Sequence, residues 1–224
     1  MTTEIKTRKR SETPRLKRDD WLDAAFGAVV DGGFDNIRVL AIADTLKVTR
    51  GSFYWHFADH ADLVTSLLAR WRAREVAMDS ALQAAPEIGP QADLERLLEA
   101  ALSRGGDDME NMRFELALRA LGRRAPDVAQ MLVEIDQLRM DVFEKKFLRL
   151  TGDPKSAAEL AALFYLSIVG SYQALSRPSV APQLKQYLGA IIANYLIARQ
   201  APASGAAPTG PDLEWPDLAD PSVN

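Results

Sequence analysis

Apolar residues recur at helical spacing from Asp19 to Arg199, and strand signals are scarce. This restricts the chain to an all-α fold, in which each helix buries one stripe against its neighbours. The first helix is predicted from Asp19 to Asp31, with Leu22, Ala25, Phe26 and Val29 on one face and Gly32-Gly33 stopping it. A short helix fits Val39 to Leu46 with Leu40, Ala43 and Leu46 inward, and a third fits Thr49 to Phe57. Asp59 then caps a long helix to Ala84, with Asp62 in a capping-box-like position and Val64, Leu67, Leu68, Trp71, Met78 and Leu82 as its stripe. Beyond the Pro86–Pro90 loop, helices are predicted at 91–103, 107–121 and 126–150, the last with Val128, Met131, Ile135, Leu138 and Val142 at alternating 3/4 spacing. Asp153-Pro154 opens another helix to Leu175. After Pro178 and Pro182 a final helix runs to Arg199, for about nine helices in total.

Composition removes whole classes of chemistry. The chain has no Cys and two His among 224 residues, so disulfides, Cys-ligated zinc and thiol nucleophiles are excluded. The start, MTTEIKTRKR, lacks the apolar core of a secretory signal. The longest apolar run, Leu160 to Val169, is too short to span a bilayer. The expectation is a soluble cytoplasmic protein with no membrane partner. The net charge of −4 hides a gradient: residues 1–18 carry seven Lys/Arg against two Glu, and residues 201–224 carry four acids, five Pro and no base. Residues 1–14 read as a basic flexible arm, with two roles open to it: solubilising the chain or reaching a phosphate backbone. Residues 201–224 read as a disordered acidic, Pro-rich tail.

Residues 33–63 carry the functional signal. Two short helices joined by a tight turn make a helix-turn-helix, with small Ala43 allowing the pair to cross closely. Val48, Phe53 and Phe57 fall near one face and pack inward. Thr49, Arg50, Ser52 and His56 are left outward at the start of the second helix, the end that reads base edges in the major groove. Arg50 can fork onto guanine, Thr49 and Ser52 can bond bases or phosphates, and Gly51 lets the helix approach the duplex. Tyr54 and Trp55 are assigned to the DNA backbone; His56 is either a phosphate contact or structural. The partner implied is a double-stranded DNA operator.

The stretch GFDNIRVLAIADTLKVTRGSFYWHFADHADLV, residues 33–64, resembles the TetR-type transcriptional regulators. The resemblance covers roughly residues 15–75. It implies a helix-turn-helix DNA-binding domain at 15–62 and a larger ligand-binding and dimerisation domain at 63–200. Three positions depart from the family pattern: Lys47 stands where the turn often has Gly, His60 where a Lys often meets a phosphate, and Arg38 where a Ser or Thr caps the helix. Each is still assigned to the DNA interface.

The resemblance also implies a small-molecule effector and a homodimer. Met and aromatic residues make the middle of the chain adaptable. Trp71, Met78, Met109, Met112, Arg113, Met131, Leu138 and Phe143 are the candidate lining of a ligand site, with plain core as the alternative for each. The effector expected is largely apolar, with Arg113 and Arg119 available to an acidic group. The carboxylates Glu110, Glu115, Glu134, Asp136 and Asp141 read as solvated faces. Ala157 to Val169 is apolar almost all round. Leu160, Leu163, Phe164 and Ser167, with Leu184, Leu188, Ile191 and Tyr195 of the last helix, are assigned to a dimer interface. No catalytic set, metal-ligand spacing or phosphate-binding Gly loop is present, so neither enzyme activity nor a cofactor is assigned. The reading is a homodimeric transcriptional regulator, a repressor released from a near-palindromic operator by its ligand. The alternative is a helical small-molecule-binding protein without DNA regulation.

Overall fold

The computed structural model describes residues 16–84, 88–106, 109–173 and 189–191. Among these the chain is entirely helical. α1 (Arg18–Gly32), a 3-10 turn (Phe34–Asn36), α2 (Val39–Thr45) and α3 (Arg50–Phe53) form the N-terminal head. α4 (His60–Ala84) runs from the head into the body, formed with α5 (Pro90–Gly106), α6 (Met109–Gly122), α7 (Pro126–Thr151) and α8 (Pro154–Gln173). The predicted last helix lies outside the described residues, except that 189–191 are helical.

The ends follow local chemistry. Asp20 accepts the Lys17 N–H at 2.6 Å and opens α1. Gly33, at φ 78°, closes it by donating to the Val29 carbonyl at 2.7 Å, in a backbone conformation that L-residues rarely adopt. Asp59 accepts the Asp62 N–H at 2.8 Å, and the Asp62 carboxylate reaches back to the Ala58 N–H at 2.9 Å. This reciprocal cap fixes where α4 begins, shortly after α3.

Two apolar cores result. The first holds Trp21, Phe53 and Phe57 of the head, then continues through Leu63, Leu67 and Trp71 of α4 to Phe114, Leu118 and Ile135 of the body. Phe114, fully buried, is the rivet: Phe26 stacks on it at 4.8 Å and Phe34 meets it edge-on at 5.5 Å. The second core packs α5, α6, α7 and α8, with Phe143 and Phe147 both edge-on to Phe164. The first core crosses the 62/63 boundary expected between domains, so head and body share one apolar interior.

Several predicted faces are rotated. In α2, Leu40 is 59% exposed and Ile42 is buried instead. Val39, Ile42, Ala43 and Leu46 make a four-residue i, i+3, i+4, i+7 stripe, wider than the one through Leu40. In α4 the buried line is Leu63, Leu67, Trp71, Glu75 and Asp79. In α7 it is Val128, Leu132, Ile135, Arg139 and Val142, one position round from Met131 and Leu138. Both buried lines run on through charged residues, Glu75 and Asp79 in α4 and Arg139 in α7. That is why an apolar stripe drawn from the sequence passes beside them.

Candidate nucleic-acid interface

The turn between α2 and α3 is built by backbone hydrogen bonds. Val48 N–H donates to the Ala43 carbonyl at 2.9 Å and Lys47 N–H to that of Asp44 at 3.1 Å, the Schellman pattern of a helix end. The residue at its left-handed position is Lys47, at φ 57°. A Cβ there costs on the order of 1 kcal/mol relative to glycine. The turn therefore keeps glycine geometry while presenting an exposed ammonium. Arg38, at the N-cap of α2, makes no side-chain cap and stays exposed.

α3 is shorter than the predicted Thr49–Phe57. Four residues are α-helical, and the chain then tightens through i to i+3 bonds, Ser52 to Trp55 at 3.3 Å and Phe53 to His56 at 2.9 Å. The tightening turns Phe53 and Phe57 together, their rings stacked at 5.4 Å, with Trp21 edge-on to Phe53 at 5.4 Å. With those rings inward, the rest of the segment faces out. Thr49, Arg50 and Gly51 are exposed, Ser52 and His56 half-buried, Tyr54 54% and Trp55 80% exposed. Arg50 donates to the Tyr54 hydroxyl at 3.1 Å, holding its guanidinium over the outer face. A cleft of about 1030 Å³ runs along this face between α1 and the turn, lined by Lys17, Lys47, Thr49, Ser52, Trp55 and His56 among others.

His60 is partly committed elsewhere, its Nε2 lying 3.0 Å from the Ile37 carbonyl. The residue missed by sequence reasoning is Arg18. Its guanidinium lies 4.6 Å from the Phe57 ring centre, donates to the His56 carbonyl at 3.3 Å and reaches Asp62 and Ser66 of α4. It straps α1, the segment after α3 and α4 together. Its place at the head of α1, three residues before Trp21, was the only local hint.

The candidate ligand residues do not converge on one chamber. Met112 and Phe143 lie in the second core, and Met131 and Leu138 pack against the first. Arg113 is exposed and Met78 half-buried; for Met109 only the helical backbone is described. Trp71 alone of the set lines a smaller cavity, shared by α1, α4 and α6.

What occupies the middle is an ionic cluster. Buried Arg139 bridges Glu75 at 2.8 Å and Glu115 at 2.9 Å. Arg119 also binds Glu115, at 2.7 Å, and reaches Asp136 at 2.8 Å. Asp136 takes a hydrogen bond from Tyr165 of α8, and Asn111 donates to Glu75 at 3.3 Å. Glu115 is therefore no solvated carboxylate, and Arg119 is engaged within the chain. Burial pushes the Glu115 carboxyl up, but Arg139 and then Arg119 overcome it and hold its pKa at about 2. Burial, then the Asp136 bond, raise Tyr165 to about 12. Burial opposes the charge on Arg139, yet Glu115 and Glu75 hold its pKa well above the ordinary value.

The assigned dimer residues divide. Leu160 and Phe164 face the chain's own second core and present nothing outward. Leu163 is 45% and Leu166 67% exposed on the other side of α8, and Ser167 turns back onto the Leu163 carbonyl at 2.7 Å. Ile191 is exposed; Leu184, Leu188 and Tyr195 lie outside the described residues. No group of His, Asp or Glu among the described residues is placed to hold a metal ion. No described helix is long and apolar enough to cross a membrane.

Residues 22–67 match the family model of bacterial regulatory proteins of the tetR family. The HTH-type transcriptional regulator TtgR of Pseudomonas putida is 30% identical over 91 residues, which is 41% of this chain and 43% of that protein. The chain thus aligns with less than half the length of this curated relative. A candidate transcriptional regulator from Saccharomonospora viridis, solved in complex with choline, superposes with a TM-score of 0.66 at 18% identity, over 79% of this chain and 95% of that one. A TetR transcription regulator from Haloarcula marismortui gives 0.64 at 15% identity, over 81% and 96%. At such identities the likeness is one of fold.

Proposed function

We propose that the chain is a regulator of the TetR type, a homodimeric repressor released from a near-palindromic operator by a small, largely apolar ligand; the match of residues 22–67 to the tetR family model supports this reading. One observation carries the DNA reading: Thr49, Arg50, Tyr54 and Trp55 are exposed on a segment whose other face is locked by buried Phe53 and Phe57. In this reading Arg50 reads a guanine. Thr49 and Ser52 contact bases or phosphates, and Gly51 lets the segment sit close. Tyr54, Trp55, His56, Lys47, Arg38 and His60 meet the backbone. The dimer uses the outward stripe of α8, Leu163, Leu166 and exposed Gly170 at 3/4 spacing, packed on its symmetry mate. Two-fold symmetry then spaces the recognition segments about one DNA turn, roughly 34–36 Å, apart. Head and body share the Phe114 rivet, so a ligand in the body changes that spacing only through differential affinity for its two values. Repression and release take place in the cytoplasm.

The test is an anisotropy titration against DNA from upstream of the coding sequence, with sedimentation at the same concentrations. Arg50→Ala should cost about 1–3 kcal/mol and relax preference at one base pair per half-site. Unchanged specificity in that variant overturns the assignment. A monomer that saturates the operator overturns the dimer.

A further inference from the structure

A helix of four residues has little stability of its own, so the direction in which Thr49, Arg50, Tyr54 and Trp55 point is set by what lies behind them. Part of that backing is apolar: Phe53 and Phe57 are buried and stacked, and such contact is non-directional. The directional part comes from Arg18, the first residue of α1. Its guanidinium lies 4.6 Å from the Phe57 ring centre, and its Nε donates to the His56 carbonyl at 3.3 Å. Its Nη2 donates to the Ser66 hydroxyl at 2.6 Å and reaches the Asp62 carboxylate at 3.4 Å. Those acceptors are themselves held: Ser66 donates to Asp62 at 3.2 Å, and the other Asp62 oxygen takes the Ala58 N–H at 2.9 Å.

The geometry points to Arg18 as a positioning residue for DNA binding, which sets residues 49–56 at a fixed angle to α1 and α4 without itself touching the duplex. This rests on the DNA-binding reading above. Three observations carry it. A guanidinium is a rigid plane with donors in fixed directions, so one side chain that holds a ring face, a carbonyl, a hydroxyl and a carboxylate fixes the elements carrying them relative to one another. The side chain is turned onto α4, whereas its neighbours Leu16, Lys17 and Asp20 line the cleft along the proposed DNA face. The Arg18 and Asp62 side chains are 47% and 37% exposed, where an ion pair contributes little stability. What the contact supplies is therefore direction more than stability. Direction matters for base readout, because hydrogen bonds to base edges weaken steeply with misalignment, while attraction to phosphates carries no sequence information. Loss of the strap should reduce selective binding more than non-selective binding.

The probes are a duplex selected by the full chain from a randomised pool and a scrambled duplex of the same composition, titrated by anisotropy at several salt concentrations. Arg18→Gln should weaken the selected duplex about tenfold and the scrambled one less than about twofold, with the salt slope and the melting temperature unchanged. Arg18→Lys should fall short in the same way, since an ammonium keeps the charge but not the plane. Ser66→Ala, on α4, should weaken the selected duplex about threefold, and adding it to Arg18→Gln should cost nothing more, because both changes remove one contact. Equal loss on both duplexes with a salt slope shallower by about 1 makes Arg18 a phosphate contact and overturns the proposal. Full rescue by Lys, additive effects of the two changes, or affinity that falls only in step with a lowered melting temperature overturns it too. A wild-type chain that binds its selected duplex as tightly as Arg18→Gln does overturns the positioning role alone. A wild-type chain that selects no duplex overturns the DNA-binding reading, and the role of Arg18 with it.

Discussion

Around Phe53 the interior is made of rings; around Arg139 it is made of charges. In the head, Trp21, Phe53 and Phe57 interdigitate with Ala43, Ile42 and Leu63. Each large side chain contributes roughly 1.5–3 kcal/mol by leaving water, and each ring pair adds about 0.5–1.5. In the body, Glu75, Glu115, Asp136, Arg119 and Arg139 sit among apolar helices, joined by Asn111 and Tyr165. Desolvating such groups costs several kcal/mol per ion, so well-packed apolar replacements are often neutral or better. The contrast separates two jobs. Ring packing is non-directional and supplies stability. The ionic cluster supplies little net stability but is directional, and fixes how α4, α6, α7 and α8 are rotated and staggered against one another.

The largest expected effect comes from breaking one half of this contrast. Arg139→Ala takes the guanidinium from buried Glu75 and leaves Glu115 to Arg119, and should destabilise the chain by about 3–5 kcal/mol in denaturant unfolding. Replacing Arg139, Glu75 and Glu115 together by Met, Leu and Leu should recover most of that loss. A cost under about 1 kcal/mol for the single change would show that water reaches the cluster and that the contrast is false.

Acid sharpens the comparison. The Glu115 pKa falls from about 4.5 to about 2 on folding, so its contribution is fully present above the unfolded value and is lost as pH drops from about 4.5 towards 2. Unfolding free energy should fall across that window, and Glu115→Gln, though destabilised at neutral pH, should show a flatter slope there. Identical slopes in the two proteins would remove Glu115 from the account. The smallest effect tests the head: Lys47→Gly should gain about 1 kcal/mol of stability by relieving the left-handed turn. The same change should weaken all DNA sequences alike, seen as a smaller salt dependence of operator binding.

Much of the head was legible because its signals are local. Gly32-Gly33, Asp59 with Asp62, and the spacing of Phe53 and Phe57 each act within one turn, and the structure puts each where the sequence suggested. The left-handed Lys47 was readable from the glycine that the family pattern places there. The body was less legible for the opposite reason. Glu75 and Arg139 are 64 residues apart, and each alone looks like an exposed polar residue. Their clue was positional: Glu75 continues the four-residue spacing Leu63, Leu67, Trp71, and Arg139 continues Val128, Leu132, Ile135. A charge in register with a buried stripe asks for an opposite charge from another helix. Leu40 misled because α2 is apolar on more than one face, so seven residues cannot say which stripe is wider.

The shared carboxylates of the ionic cluster also set how the native state opens. Glu115 serves both Arg119 and Arg139, and Asp136 serves both Arg119 and Tyr165, so withdrawing α7 takes a counter-charge from Glu75 on α4 and from Glu115 and Arg119 on α6 at once. A partly opened body is then costly, and α4, α6 and α7 are expected to exchange their amide protons as one cooperative unit, with α2 and the short α3 exchanging at lower free energy. On the proposed reading, the segment that meets DNA can then adjust without the body beside it opening.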